Sequence, residues 1–156
     1  MKTLLVYASK HGCTEKCAKM LAEKLTGEIE LVRLGKGKAP DPKMYDRIII
    51  GGSIHVGKVQ KEVLDFSAGH MEVLLQKKVG LFICCGDLTR VETQMKDAFP
   101  EPLYSHAIAR EHFGHAYDFK KMNFLERTAI KVIAKTSESV ENILVGNLER
   151  FAAAME

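Results

Sequence analysis

The sequence lacks the features that mark membrane, secreted and nucleic-acid-binding proteins. No apolar run approaches the roughly 18 residues that span a membrane. The apolar start of the chain stops at Ser9, too early for a signal peptide. Four cysteines among 156 residues are too few for a disulfide scaffold, and a net charge of +3 gives no argument for nucleic acid. We therefore expect one cytoplasmic domain over residues 1–156, with reduced thiols and no nucleic-acid partner.

What is present is an alternation of apolar, β-rich runs with helical patterns. Hydrophobic residues make up 46% of the chain and charged residues 28%, which is typical of a globular protein. This alternation predicts an α/β fold with a doubly wound, mostly parallel sheet and right-handed connections. The predicted strands cover residues 3–8, 29–34, 45–52, 79–85 and about 106–113, and the predicted helices cover 14–25, 59–75, about 91–99 and about 140–155.

Ligands bind such sheets at the carboxyl ends of the strands, so the loops after Ala8, Gly52 and Cys85 are the candidate site. Residues 9–14 join the first strand to the first helix. Backbone N–H groups and the helix dipole favour an anion there, and Gly12 permits its close approach. Ser9 and Thr14 add hydroxyl groups. An ordinary turn with Thr14 as the helix N-cap explains the same residues, so the loop alone leaves both interpretations open.

The pattern (Ser/Thr)-x-x-Gly-x-Thr after the first strand resembles the phosphate loop that binds flavin mononucleotide (FMN) in the flavodoxin family. Residues 51–57 and 85–88 fall where that family contacts the flavin ring. The resemblance implies a flavodoxin-like, five-stranded parallel sheet of order 2-1-3-4-5, with helices on both faces and FMN as cofactor. The implied FMN-binding residues are Ser9, Lys10, His11, Gly12, Cys13, Thr14, Ser53, Ile54, His55, Val56, Gly57, Cys85, Gly86, Asp87 and Leu88.

The two predicted ring loops are rich in glycine and contain no aromatic residue other than histidine. The chain has no Trp, and neither loop contains Tyr or Phe. We therefore expect Ile54, His55 and Leu88 to cover the ring. Flavin chemistry asks little of side chains, because the ring itself is the redox centre. His55 is the one candidate catalytic residue, as a proton relay near the ring, on its residue type and loop position.

Three other kinds of site match parts of the sequence but lack residues or spacings that they need. Residues 52–58 match most of a P-loop, but Val59 stands where a magnesium-binding hydroxyl is needed. A receiver domain needs an acidic cluster after the first strand, where Ser9 and Lys10 stand. A metal site shared by the cysteines is conceivable, but their spacing is unusual, and strands one and four are not neighbours. We therefore expect no metal, ordinary packing for Cys17 and Cys84, and a Cys13 thiol that oxidises readily at a helix N-terminus.

A basic stripe follows the last predicted strand. Arg127, Lys131 and Lys135 recur at helical spacing beside an apolar stripe that includes Leu125. A surface helix with its polar face in solvent explains the pattern. A basic amphipathic helix that contacts an anionic membrane or a carboxylate-bearing substrate explains it as well.

Residues 113–118, Phe-Gly-x-x-x-Asp, and 124–127, Phe-Leu-Glu-Arg, are similar to the branch of the family that includes menaquinone-dependent protoporphyrinogen dehydrogenase. The resemblance implies oxidation of protoporphyrinogen in heme biosynthesis, with electrons passed through FMN to a quinone. If the basic helix binds an anionic membrane, we expect the protein at the inner face of that membrane. Ordinary flavodoxins are acidic, so the basic net charge favours this enzyme over a non-catalytic electron carrier serving a redox protein. A flavin-free protein that only binds partners is a third alternative, and the oligomeric state stays open.

Overall fold

Five parallel strands form the central sheet of the computed structural model, which describes residues 1–117, 123–128 and 140–156. The strands are β1 (Lys2–Tyr7), β2 (Glu28–Arg33), β3 (Arg47–Ser53), β4 (Lys78–Cys84) and β5 (Ala109–His112). Their order is β2-β1-β3-β4-β5, which confirms the predicted α/β class and strand order. The sheet brings the carboxyl ends of β1, β3 and β4 together at one edge.

The helices are α1 (Cys13–Lys24), α2 (Lys61–Gly69), α3 (Met71–Leu74), α4 (Val91–Ala98), α5 (Glu101–His106) and α6 (Val145–Met155). Side chains alternate across each strand, so Leu4 and Val6 pack on one face of β1 and Leu5 on the other. Helices α1 and α6 cover the Leu5 face, and α2, α4 and α5 cover the opposite one. Within the described ranges, the helices are too short or too polar to cross a bilayer.

The sequence-based prediction was wrong over the beginning of the last helix. The structure forms β6 (Gly114–Tyr117) and β7 (Val140–Ile143), which pair antiparallel as a small second sheet, and α6 begins only at Val145. Gly114 has a φ of 87°, and a Cβ added to it would lie 2.0 Å from the carbonyl oxygen of Asn142. The pairing of β6 with β7 therefore requires glycine at this position.

Two other predicted elements are divided differently in the structure. The helix predicted over 59–75 is interrupted at His70, which separates α2 from α3. The last strand of the main sheet was predicted from about residue 106 but begins at Ala109. The reason is that Pro100 precedes a further helix, α5, and Pro102 lies in its first turn, where its missing N–H costs nothing.

A fully buried arginine holds the amino-terminal edge of the sheet together. Arg47 Nε donates to Thr3 Oγ1 at 2.7 Å, Nη1 to the carbonyl of Met155 at 2.8 Å, and Nη2 to the carbonyl of Thr26 at 2.8 Å. Nη1 also lies 3.0 Å from Glu156 Oε1. Hydrogen bonds from Thr26, opposed by partial burial and aided by Arg47, lower the pKa of Glu156 to about 2. This network fastens the end of α6 to β1 and β3.

Candidate functional site

A cavity of about 410 Å³ opens at the carboxyl ends of β1, β3 and β4. Small-molecule sites occupy roughly 300–1,000 Å³, so the volume suits a ligand of that class. The three loops selected from the sequence all contribute to its walls. The lining residues are Ser9, Lys10, His11, Cys13, Ser53, Ile54, His55, Val56, Gly57, Cys84, Cys85, Gly86, Asp87, Arg90, Gln94, His115, Ala116 and Glu126.

Three residues predicted to bind the cofactor lie outside these walls, namely Gly12, Thr14 and Leu88, and Leu88 is half exposed. Six further residues line the cavity that were not predicted from the sequence: Cys84, Arg90, Gln94, His115, Ala116 and Glu126. The sequence pattern could have predicted two of them. Arg90, the N-cap of α4, and Gln94 are one helical turn apart directly after the 85–88 loop, so they lie on the same face of the helix. His115 and Ala116 belong to β6, which the sequence did not reveal.

The loop between β1 and α1 has a hydrogen bond of its own and leads into the first turn of α1. Gly12, not Thr14, is the N-cap of α1, with a φ of 91° that suits glycine. Its N–H donates to Ser9 Oγ at 3.0 Å. The first-turn N–H groups of α1 have no acceptor within the helix. Thr14 Oγ1 is fully buried and has no hydrogen-bond partner among the described residues. These donors fit an anionic phosphate group.

A carboxylate from a distant part of the sequence already contacts this loop. Glu126 lies in a helical stretch, 124–128, and its Oε1 is 3.1 Å from Lys10 Nζ. Its Oε2 contacts His11 Nε2. Burial opposes ionisation of Glu126, but Lys10 and His11 together lower its pKa below the usual value. The ionised carboxylate therefore occupies the same groups that a phosphate would use.

The end of β3 presents His55 to the cavity as a neutral ring. Burial, followed by the nearby charges of His11 and Lys10, lowers the pKa of His55 to about 4. Gln60 Nε2 donates to Ser53 Oγ, which leaves the Ser53 hydroxyl hydrogen for His55 Nε2 at 3.1 Å. A ring with this pKa is poorly matched to proton transfer at neutral pH, so the predicted relay gains no support from its electrostatics.

Residues 55–58 form a tight turn at the mouth of the cavity. The backbones of His55 and Lys58 exchange hydrogen bonds of 2.8 and 3.0 Å. Val56 and Gly57 both have positive φ, 49° and 74°, as in a type I′ turn. This conformation is strained for a β-branched residue, and Val56 is largely exposed. A Cβ added at Gly57 would meet no atom within 4 Å, so there is open space beside this turn.

The loop after β4 forms the opposite wall. The N–H of Cys85 donates to the carbonyl of Gly114 at 2.9 Å, which joins this loop to β6. Asp87 Oδ1 accepts hydrogen bonds from the N–H and hydroxyl of Thr89, at 3.1 and 2.6 Å. These bonds lower the pKa of Asp87. Its carboxylate therefore stabilises its own turn, while Cys85 and Gly86 leave the wall low in charge.

Three of the four cysteines meet below the cavity, a proximity that their spacing in the sequence did not indicate. The Sγ atoms of Cys13, Cys17 and Cys84 all lie within 4.8 Å of one another. Strands β1 and β4 are indeed not neighbours, but α1 crosses the sheet and packs against both. Cys17 and Cys84 are buried in the core as expected. Hydrogen bonds from Cys17 and then Cys84 lower the pKa of Cys13, despite its burial.

The predicted basic stripe is described only in part. Arg127 is exposed, whereas Lys131 and Lys135 lie outside the described residues. Next to Arg127, the side chains of Phe124 and Leu125 are 80% and 76% exposed. Large apolar side chains thus stand in solvent on the same helical stretch whose Glu126 reaches the cavity.

Comparison with solved structures finds the same fold at low sequence identity. A short-chain flavodoxin associated with a non-canonical PDU bacterial microcompartment has a TM-score of 0.59 at 14% identity, covering 99% of this chain and 96% of its own. Oxidised flavodoxin 1 from Bacillus cereus has a TM-score of 0.54 at 17% identity, covering 88% and 100%. The flavodoxin WrbA-like protein from Agrobacterium tumefaciens has a TM-score of 0.55 at 18% identity, covering 99% and 96%.

Identities this low establish the fold alone, and no curated protein matches the sequence significantly. The family follows from the sequence model of the flavodoxin domain, which matches residues 4–142. That match covers both the sheet and the three loops around the cavity. The chain therefore belongs to the flavodoxin domain family, whose members bind FMN.

Proposed function

We propose that this protein is an FMN-dependent oxidoreductase of the protoporphyrinogen-dehydrogenase type. It takes electron pairs and protons from an apolar, carboxylate-bearing tetrapyrrole, and each pair with its protons reduces one quinone to a quinol. When bound, FMN supplies the redox chemistry. The cavity at the ends of β1, β3 and β4 is the proposed FMN site, and the stretch 123–128 at its rim is the proposed substrate contact.

The observation that carries this proposal is the pairing of exposed apolar side chains with a basic one beside the cavity. Phe124 and Leu125 are largely exposed, and Arg127 follows them. An exposed apolar cluster beside charge is typical of a binding surface. Such a surface matches an apolar macrocycle with carboxylates, and it also suits contact with an anionic membrane that holds the quinone.

The chain's own groups have distinct roles in the proposed site. The first-turn N–H groups of α1, the Thr14 hydroxyl and Ser9 bind the phosphate, with Lys10 supplying positive charge and the His11 ring beside it. Lys10 and His11 must exchange Glu126 for the phosphate, so the ligand and this carboxylate compete. Ile54 and the Cys85–Gly86 wall exclude water. Neutral His55, hydrogen-bonded to Ser53, orients the ligand without adding charge.

Anaerobic turnover tests the proposal. FMN-loaded protein, given protoporphyrinogen and a menaquinone analogue, should form the fluorescent porphyrin in step with quinol. Replacing Arg127 with Glu should raise KM for protoporphyrinogen with little change in FMN affinity. The matched control is Arg150→Glu, on exposed Arg150 of α6.

Two results contradict the proposal. An FMN-loaded protein that exchanges electrons with a flavodoxin reductase but never oxidises protoporphyrinogen is a carrier. A colourless protein that does not quench FMN fluorescence at micromolar concentration excludes both redox functions.

A further inference from the structure

The three thiols of Cys13, Cys17 and Cys84 form a compact group that the proposed FMN chemistry does not use. Two of them belong to α1, with Cys13 at its start and Cys17 one turn later, and Cys84 ends β4. Packing alone would explain one buried thiol. It does not require three sulfur atoms within 4.8 Å of one another in a chain with four cysteines.

The spacing of these sulfur atoms matches that of metal-bound thiolates. Zinc–sulfur bonds are about 2.3 Å long, so two sulfurs of a tetrahedral site lie about 3.8 Å apart. Cys17 Sγ and Cys84 Sγ are 3.7 Å apart, and Cys13 Sγ completes the group within 4.8 Å. These separations are close to those of thiolates that share one ion.

The position of Cys13 favours its thiolate, and the cavity leaves a route for the ion. Cys13 is the first residue of α1, where the helix dipole stabilises negative charge, and Lys16 lies one turn away. Three thiolates around a divalent ion carry a single net negative charge. Cys17 is fully buried, but Cys13 and Cys84 line the cavity, so an ion can enter from that side.

We propose that Cys13, Cys17 and Cys84 bind one thiophilic divalent cation of the Zn²⁺ class, with a fourth coordination position open toward the cavity. Three protein ligands with an open position are the arrangement of metal sites that bind an exogenous ligand. The site lies beneath the proposed FMN position and is independent of the identity of the electron donor.

Metal titration of the full chain without FMN tests this proposal separately from the proposed function. The reduced, chelator-treated protein is titrated with Zn²⁺ against a chromophoric chelator, and with Cd²⁺ to observe thiolate-to-metal absorption in the ultraviolet. We expect one equivalent of either ion to bind. Cys17→Ser and Cys84→Ser should each weaken binding by about 100-fold or more, because thiolate ligands dominate the affinity.

Cys85→Ser is the matched control, because Cys85 is a buried thiol next to Cys84 but outside the three-sulfur group. It should bind one equivalent as the wild type does. Thermal melting provides the second readout: Zn²⁺ should raise the Tm of wild type and Cys85→Ser but not of Cys13→Ser. If Cys17→Ser or Cys84→Ser fails to fold, Cys13→Ser, at the first turn of α1, is the variant used in its place.

The proposal is overturned if the reduced wild type binds no equivalent, or if Cys17→Ser and Cys84→Ser bind as the wild type does. It is equally overturned if the protein as isolated has two free thiols instead of four, with a disulfide mapped to Cys17 and Cys84.

Discussion

The two ends of the sheet treat buried polar groups in opposite ways. At the amino end, Arg47 is fully buried and each of its nitrogens donates a hydrogen bond. At the carboxyl end, Thr14 Oγ1 and Gln94 Oε1 are buried without a hydrogen-bond partner among the described residues. A buried polar group without a partner costs about 1–3 kcal/mol. The amino end is thus built for stability, and the carboxyl end keeps groups that a ligand can satisfy.

The largest expected effect comes from breaking the amino end. Arg47→Met keeps much of the side-chain volume but leaves Thr3 Oγ1 and the carbonyls of Thr26 and Met155 without their donor. We expect a loss of about 3–5 kcal/mol in the free energy of unfolding, measured by urea denaturation without FMN. The FMN affinity of the folded protein should stay unchanged.

Arg150→Met is the control for this substitution. Arg150 is largely exposed and pairs with Glu111 at 3.3 Å, so its loss should cost less than about 1 kcal/mol. A loss below about 1 kcal/mol for Arg47→Met as well would show that the amino-end network does not hold the fold together.

Two buried threonines sharpen the comparison, because the same substitution can be made at each end. Thr3→Val leaves Arg47 Nε unpaired and should cost about 1–3 kcal/mol with no change in FMN binding. Thr14→Val removes a buried hydroxyl that has no partner within the described residues, so the protein without FMN should become more stable, by up to about 1–3 kcal/mol. Its FMN dissociation constant should rise about 10-fold, which corresponds to one hydrogen bond to a charged group.

Fluorescence quenching gives the FMN affinities and urea denaturation the stabilities. The comparison between the two ends fails if Thr14→Val destabilises the protein as much as Thr3→Val while FMN binding stays the same.

The third effect concerns the carboxylate at the phosphate loop. Glu126→Gln removes the negative charge that contacts Lys10 and His11, so a phosphate no longer competes with it. We expect FMN to bind about 5- to 10-fold more tightly at low salt, with a smaller gain at high salt because screening weakens charge interactions. Riboflavin, which has no phosphate, should bind both proteins equally. If riboflavin affinity rose by the same factor, Glu126 would not act by competing with the phosphate, and the prediction would be wrong.

How much of this site could be predicted depends on how locally each part is encoded. The strands β1, β3 and β4 are continuous apolar runs, and their following loops carry glycine and hydroxyl residues at the positions the fold requires. These signals lie within a few residues of one another, so the cavity's three main loops could be located from the sequence.

The parts that could not be predicted depend on contacts between distant residues. Glu126 contacts Lys10, which lies more than a hundred residues earlier in the chain. The pairing of β6 with β7 requires glycine at position 114, and this requirement is visible only once Asn142 is placed beside it. The three thiols meet because α1 crosses from β1 toward β4. Sheet order alone argued against that meeting, since it does not describe what a covering helix brings together.

The smallest effect is a pH dependence at the amino end. The pKa of Glu156 is lowered to about 2 in the folded protein, chiefly by its hydrogen bonds with Thr26. A lowered folded-state pKa contributes stability that is fully present above the ordinary carboxyl pKa and is lost as the pH falls through the folded value.

We therefore expect wild type to exceed Glu156→Gln in stability by a constant amount at neutral pH. The difference should be below about 1 kcal/mol, because the Glu156 side chain is one-third exposed. The difference should shrink between about pH 4.5 and pH 2, as measured by urea denaturation across that range. Glu149→Gln, which removes an exposed carboxylate of α6 paired with Lys24 of α1, should show no comparable convergence. If the gap between wild type and Glu156→Gln stayed constant down to pH 2, Glu156 would be no part of the network that closes this end of the sheet.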